Sequence, residues 1–118
     1  MGGIIRSIFV ERCDFALSHV LNLRLPFAPA NVFHQVKAAL GYMHLQHVAH
    51  CDVKPSNILW AQLSKRAVLC DFSLTADWTE QATTWALCAL NYSPPEALVP
   101  GPYRVSAAAD VWAFGCTM

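Results

Sequence analysis

The sequence predicts a single α+β domain that is mainly helical. The chain has 118 residues, which is enough for one modest domain. Apolar residues recur at spacings of three and four between positions 29 and 47, and helical character returns near the C-terminus. Shorter apolar runs lie between these segments, and their length and β-branched residues favour strands.

The N-terminal part of the chain is predicted to hold one strand and two helices. Residues 4–10 form an apolar, β-branched run that suits a buried strand. Asp14 can cap a first helix, which stops near Pro26. A longer helix is predicted to begin at Pro29, a suitable first helical residue. Its repeating positions are Val32, Phe33, Val36, Ala39, Leu40, Met43 and His47.

The second half of the chain alternates loops with short elements. Pro55 prevents the helix from continuing, so residues 50–57 are predicted to form a loop. Two apolar runs at 58–60 and 67–70 bracket a polar stretch, as the strands of a hairpin do. Residues 71–95 show no sustained period, whereas residues 107–118 are predicted to be helical.

Composition excludes several classes of protein. Eight basic side chains balance eight acidic ones, so nothing in the charge pattern suits a nucleic acid. No run approaches the roughly eighteen apolar residues of a membrane span, and the start resembles neither a secretory signal nor a myristoylation site. Five cysteines without a C-x-x-C pair favour a reducing compartment. We therefore expect an intracellular protein, cytoplasmic or nuclear, that binds neither nucleic acid nor membrane.

Four polar residues supply the parts of a phosphoryl-transfer site. Asp52, Lys54 and Asn57 lie within six residues of one another, and Asp71 follows at the end of a predicted strand. Phosphoryl transfer needs a carboxylate for the proton of the attacking hydroxyl, a positive charge on the transferred group, and hard oxygen ligands for Mg²⁺. Each of these four residues meets one of those needs.

Several motifs resemble those of the eukaryotic protein kinase family, serine/threonine type. H-C-D-V-K-P-S-N at 50–57 resembles the H-R-D-L-K-P-x-N catalytic loop, and D-F-S at 71–73 resembles the D-F-G turn. The P-P-E at 94–96 is similar to A-P-E, and 109–115 is similar to the D-x-W-S-x-G of the following helix. Residues 8–17 and 42–44 resemble the hinge region and the Y-L-H before the catalytic loop. Residues 92–96 and 103–115 are most similar to the cyclin-dependent-kinase-like branch, although Ser93 replaces an expected arginine.

The resemblance implies a partial kinase fold that binds ATP and Mg²⁺. It implies the C-terminal lobe from the hinge strand to the helix after the activation segment, with the N-terminal lobe missing. The implied parts are hinge strand and hinge at 1–13, two helices at 14–49, catalytic loop at 50–57, hairpin at 58–70, activation segment at 71–96 and the start of a buried helix at 105–118.

Individual roles follow from the same resemblance. Asp52 would be the catalytic base and Lys54 the lysine that steadies the γ-phosphate. Asn57 and Asp71 would be the Mg²⁺ ligands. Four residues would contact adenine: Val10 as gatekeeper, Glu11 and Cys13 through their backbones, and Leu59 beneath the base. Structural roles would belong to His50, Phe72, Glu96 and Asp110, with His50 packed against Phe72.

The sequence also departs from the family pattern. Cys51 replaces the arginine that would bind a phosphorylated activation loop, and Ala89 replaces a threonine that bonds to the base and the lysine. Ser73 replaces the glycine of D-F-G, so we expect a positive φ and some strain there. The 118 residues contain no glycine-rich loop, strand lysine or helix glutamate before the hinge.

Three functions stay open at this point. The chain is part of an active serine/threonine kinase that phosphorylates protein substrates, or a kinase-derived interaction module without catalysis, or a small metal or redox protein. The last hypothesis depends on His44, His47, His50 and Cys51 as a zinc site. The other four cysteines are predicted to be small buried apolar residues.

We also expect the 118-residue chain to self-associate. It would do so through apolar side chains without neighbours, namely Ile4, Ile5, Ile8, Phe9, Val111, Trp112 and Phe114.

Overall fold

The computed structural model describes residues 13–23, 28–80, 83–84, 92–98 and 103–117. Three helices carry most of the regular structure: α1 (Leu17–Leu23), α2 (Pro29–Leu45) and α3 (Ala107–Thr117). Seven strands are also described: β1 (Phe15–Ala16), β2 (Val48–Ala49), β3 (Ile58–Ala61), β4 (Arg66–Leu69), β5 (Ala76–Asp77), β6 (Thr83–Thr84) and β7 (Tyr103–Arg104). The predicted mixture of helix and sheet is therefore confirmed.

Three antiparallel sheets connect these strands. The largest has the order β1-β3-β4, with Phe15 opposite Trp60 and Leu59 opposite Val68. β2 pairs with β5, and β6 pairs with β7. The β3–β4 pair confirms the predicted hairpin. The predicted strand at 4–10 lies outside the described residues.

The core lies between α2 and the hairpin. Val32, Val36 and Leu40 repeat along one side of α2 and are almost fully buried, which is the pattern that predicted this helix. They form one apolar cluster with Leu17, Val53, Ile58, Trp60, Leu69 and Ala113. The Gln35 side chain also joins α2 to the hairpin, because Nε2 donates to Lys65 O and Oε1 accepts from Ala67 N.

Two helix boundaries differ from the sequence prediction. Asp14 does not cap α1; its Oδ2 accepts a hydrogen bond from Gln62 N at 2.8 Å. Phe15 and Ala16 pair with β3 before the helix begins, since strand pairing satisfies their backbone better than a short isolated turn of helix. α2 ends at Leu45, so His47 lies in the following turn with a φ of 61°.

Side-chain exposure tests two of the predictions, the burial of the cysteines and the bare apolar surface on α3. Cys116 is exposed, so its predicted burial is wrong, whereas Cys13 and Cys70 are half-buried. Val111 and Trp112 are exposed on α3, as expected for an apolar surface without neighbours. For Phe114 that expectation is wrong, because its ring is half-buried against the core and lies 5.2 Å from the ring of Phe33. Cys88 and Ile4, Ile5, Ile8 and Phe9 lie outside the described residues. No described helix is both long and apolar enough to cross a membrane.

Candidate catalytic site

The loop at 50–57 is organised around the buried imidazole of His50. Its Nδ1 accepts a hydrogen bond from Asp52 N at 3.1 Å, and its Nε2 lies 2.9 Å from the carbonyl oxygen of Cys70. A carbonyl can only accept, so Nε2 carries the proton and the ring is the neutral Nε2–H tautomer. His50 therefore connects the loop to the end of β4.

Asp52 is held by its own loop. The Nδ2 group of Asn57 donates to the backbone oxygen of Asp52 at 2.8 Å and to its Oδ2 at 3.0 Å. Lys54 Nζ lies 3.6 Å from Asp52 Oδ1. The side chain of Asp52 is 10% exposed and that of Lys54 is 30% exposed, so both still reach solvent. The arrangement presents an oriented carboxylate next to a cation, as the motif predicts.

Asp71 lies beside this loop. The backbone N–H of Cys70, the residue before Asp71, donates a hydrogen bond to the carbonyl oxygen of Asn57 at 2.9 Å. Asp71 is exposed and has a φ of 61°. Hydrogen bonds from the Ser73 hydroxyl and backbone N–H lower the pKa of Asp71. Burial opposes this effect, and the positive charge of Lys54 adds to it.

The free oxygen atoms of Asn57 and Asp71 fit a small hard cation. Asn57 uses its amide nitrogen on Asp52, which leaves Oδ1 as a ligand atom. Asp71 receives both Ser73 hydrogen bonds on Oδ1, which leaves Oδ2. Mg²⁺ often takes only one or two protein ligands and completes its shell with water and phosphate oxygens. Asn57 and Asp71 are therefore the residues that would hold such an ion.

The Ser73 backbone does not behave as the sequence suggested. Its φ is not positive, so the predicted strain at this residue is wrong. The positive φ lies two residues earlier, at Asp71, just before the turn that Thr75 N closes onto Phe72 O. The Ser73 hydroxyl instead reaches back to Asp71 Oδ1 at 2.6 Å.

Asp110 on α3 holds the start of the loop in position. The carboxylate is 1% exposed. Oδ2 accepts from His50 N and lies 2.8 Å from His44 Nε2, and Oδ1 accepts from Cys51 N at 2.9 Å. Cys51 has a φ of 71°, a costly conformation for a residue other than glycine, and these bonds stabilise it. Sequence reasoning assigned Asp110 a structural role but missed His44 as its partner, since no local pattern links positions so far apart.

The structure describes only some of the residues predicted to contact adenine. Leu59 is half-buried on β3, and Cys13 is half-buried just before β1. Burial raises the pKa of the Cys70 thiol, and the nearby charges of Asp71 and Cys13 raise it further. Val10, Glu11 and Ala89 lie outside the described residues.

Phe72 and Glu96 are less enclosed than their predicted structural roles suggest. The Phe72 ring packs edge-on against His50, with 5.2 Å between centroids, so the predicted contact is present. Phe72 is nevertheless 54% exposed. Glu96 is exposed in the 3-10 turn Pro95–Leu98.

The histidines do not form the zinc site considered above. His44 Nε2 bonds to Asp110, and the two ring nitrogens of His50 bond to Asp52 N and Cys70 O. Among the described residues no group of three or more histidine, cysteine, aspartate or glutamate side chains is arranged to hold a metal ion. The geometry therefore gives no support to a zinc protein.

A cleft of about 280 Å³ opens beside the loop, next to Lys54. It lies between α1 and residues 54–56 of the loop, and Tyr92, much later in the sequence, also lines it. A second, more apolar groove of about 410 Å³ lies between α2 and β4, next to Phe72. Of these two openings, only the cleft beside Lys54 is lined by a residue of the candidate phosphoryl-transfer set.

Comparison with known proteins gives one consistent result. A family model described as the protein kinase domain matches residues 8–118. Cyclin-dependent kinase C-3 of Oryza sativa subsp. japonica is 33% identical over 115 residues, 97% of this chain and 35% of that protein. Cyclin-dependent kinase 4 homolog of Caenorhabditis elegans is 31% identical over 116 residues, 93% of this chain and 28% of that protein. Mitogen-activated protein kinase kinase kinase 6 of Homo sapiens is 34% identical over 87 residues, 71% of this chain and 7% of that protein. The chain thus spans about a third or less of the length of these relatives.

Proposed function

Because this chain belongs to the protein kinase family, we propose that it forms the catalytic-loop part of an ATP-dependent protein serine/threonine kinase. In this proposal residues 1–118 are the hinge and the first part of the C-terminal lobe, and the complete protein transfers the γ-phosphate of ATP to serine or threonine hydroxyls of other proteins. Support comes from relatives named as cyclin-dependent and other serine/threonine kinases.

The observation that carries the proposal is the orientation of Asp52. Asn57 fixes one carboxylate oxygen at 3.0 Å, and Lys54 lies 3.6 Å from the other. An acceptor hydroxyl that reaches Asp52 would give it a proton while the hydroxyl oxygen bonds to the γ-phosphorus. The bond from that phosphorus to the β–γ bridging oxygen breaks, and ADP leaves. Lys54 would stabilise the negative charge on the transferred group.

Asn57 and Asp71 would hold Mg²⁺, which when bound neutralises charge on the β- and γ-phosphate oxygens. Their free oxygen atoms are the hard ligands that this ion prefers. Val10, Glu11, Cys13 and Leu59 would contact adenine, as the resemblance implies.

Two aspartate substitutions test these roles separately. Asp71→Asn should weaken Mg²⁺-dependent binding of a fluorescent ATP analogue by at least about tenfold, because a charged ligand is lost. Asp52→Asn should leave binding unchanged and lower transfer of radiolabelled phosphate to a serine/threonine peptide library by about 10²–10⁴-fold. Asp77→Asn makes the same change at a carboxylate outside the loop and should affect neither measurement.

Nucleotide binding is measured on the 118-residue chain. Phosphate transfer is measured on any longer natural protein that contains these residues. These 118 residues include no glycine-rich loop, so transfer by this chain alone is expected to be slow. Nucleotide binding that is independent of Mg²⁺ and of Asp71 would contradict the proposal.

A kinase-derived interaction module is the second candidate. The observation in its favour is Cys51 at the position of the family's phosphate-binding arginine, so phosphorylation cannot order the chain through that residue. This function predicts no Mg²⁺-dependent nucleotide binding and no phosphate transfer. The same two measurements therefore distinguish the candidates.

A further inference from the structure

Ser73 makes a contact with Asp71 that a glycine at this position could not make. Its hydroxyl donates to Asp71 Oδ1 at 2.6 Å, and its backbone N–H lies 3.2 Å from the same oxygen. A glycine could supply only the weaker of these bonds, because it has no side chain. Both bonds fall on one oxygen of the carboxylate, so the lone pairs of Oδ2 stay available.

The contact matters because Asp71 has an unfavourable backbone and an open environment. Its φ of 61° is uncommon for a residue other than glycine, and its side chain is exposed. An exposed carboxylate with no fixed partner rotates freely between rotamers, and this freedom is lost when it binds an ion. The two Ser73 bonds restrict that rotation before any ion arrives.

We propose that the Ser73 hydroxyl is a positioning group that orients Asp71 so that Oδ2 faces a divalent cation held jointly with Asn57. The inference rests on the proposed role of Asp71 as a metal ligand. Ligating carboxylates are commonly fixed by hydrogen bonds on the oxygen that is not bound to the metal, and loss of such a bond typically weakens metal binding by about 10–100-fold. The serine in place of glycine therefore strengthens the ion site and is not a sign of lost catalysis.

Binding of Mn²⁺ in the presence of ATP tests this inference, with free Mn²⁺ measured by electron paramagnetic resonance. Ser73→Ala should weaken Mn²⁺ binding about tenfold. Ser73→Thr keeps the hydroxyl and should restore affinity to within about twofold of the natural chain. Ser64→Ala removes an exposed hydroxyl from the hairpin turn and should have no effect.

A double substitution separates positioning from a general structural effect. If Ser73 acts through Asp71, Ser73→Ala should weaken binding no further once Asp71→Asn is present. Equal losses in both backgrounds would overturn the inference, and so would an unchanged affinity in Ser73→Ala when Asp71→Asn still weakens binding. If neither substitution changes Mn²⁺ binding, or the natural chain binds none, the proposed metal site fails as well.

Discussion

Replacement of Asp110 by asparagine should release the start of the loop at 50–57. The carboxylate accepts three hydrogen bonds: Oδ2 contacts His50 N and His44 Nε2, and Oδ1 contacts Cys51 N. Asparagine has one acceptor oxygen. If that oxygen keeps its contacts with His50 and His44, the NH₂ group of the asparagine faces the Cys51 N–H. Both groups are hydrogen-bond donors, so no bond can form there.

The magnitude follows from these contacts. A hydrogen bond to a charged group contributes about 1.5–3 kcal/mol, and the surviving bonds also lose their charge assistance. We therefore expect Asp110→Asn to cost about 3 kcal/mol. Since about 1.4 kcal/mol corresponds to a factor of ten, the amide of Cys51 should exchange its hydrogen about 100-fold faster.

Native-state hydrogen exchange followed by NMR is the suitable assay because it reports on single amides, whether or not the chain unfolds in one step. Glu96→Gln makes the same carboxylate-to-amide change at an exposed position and should change stability by less than about 0.5 kcal/mol. If exchange at both His50 and Cys51 stays within about twofold of the natural chain in Asp110→Asn, the anchoring role of Asp110 is wrong.

Three further predictions concern separate parts of the molecule. The Thr79 hydroxyl and N–H lower the pKa of Asp77, so Thr79→Val should raise that pKa towards its ordinary value in an NMR titration. A carboxylate with a lowered pKa stabilises the fold at pH values above its unfolded-state pKa, and this stabilisation is lost as pH falls through the folded-state pKa. Thr79→Val should therefore reduce the stability that the protein loses on acidification. An unchanged Asp77 titration would contradict this prediction. Gln35→Ala removes both side-chain hydrogen bonds to the hairpin and should lower the free energy of unfolding in urea by about 1–2 kcal/mol. Gln46→Ala, at an exposed glutamine, is the control; a comparable loss in this variant would show that the hairpin bonds are not the cause. Val111 is 61% exposed on α3, so Val111→Lys should lower ANS fluorescence and shift gel-filtration elution towards the monomer; no change in either would locate the self-associating surface elsewhere.

Local sequence patterns predicted the elements whose causes are local. α2 follows from Pro29 and from apolar side chains three and four residues apart, and the hairpin follows from two short apolar runs around a polar turn. Asp14 shows where such patterns fail. Aspartate just before an apolar helical pattern is typical of a helix cap. Here β1 instead pairs with β3, more than forty residues later in the sequence, and the Asp14 carboxylate accepts a hydrogen bond from Gln62 at the end of that strand.

The candidate site divides in the same way. Motif spacing identified Asp52 and Asn57, whose contacts lie within one short loop. The bond between His44 and Asp110 joins residues 66 positions apart, and no local pattern predicts it. Ser73 was predicted to suffer strain from its residue type alone, and only the backbone geometry shows that Asp71 has the positive φ.

The anchoring of the loop by Asp110 also constrains the order in which the protein folds. His50 and Cys51 leave the ribosome about sixty residues before the carboxylate that their amides need. Until α3 has been synthesised and has docked, the left-handed turn at Cys51 lacks its main stabilising contacts. Closing so long a loop is slow compared with forming a helix or a hairpin. The loop at 50–57 should therefore reach its final conformation only after α3 has been synthesised, and later than α2 and the β3–β4 hairpin.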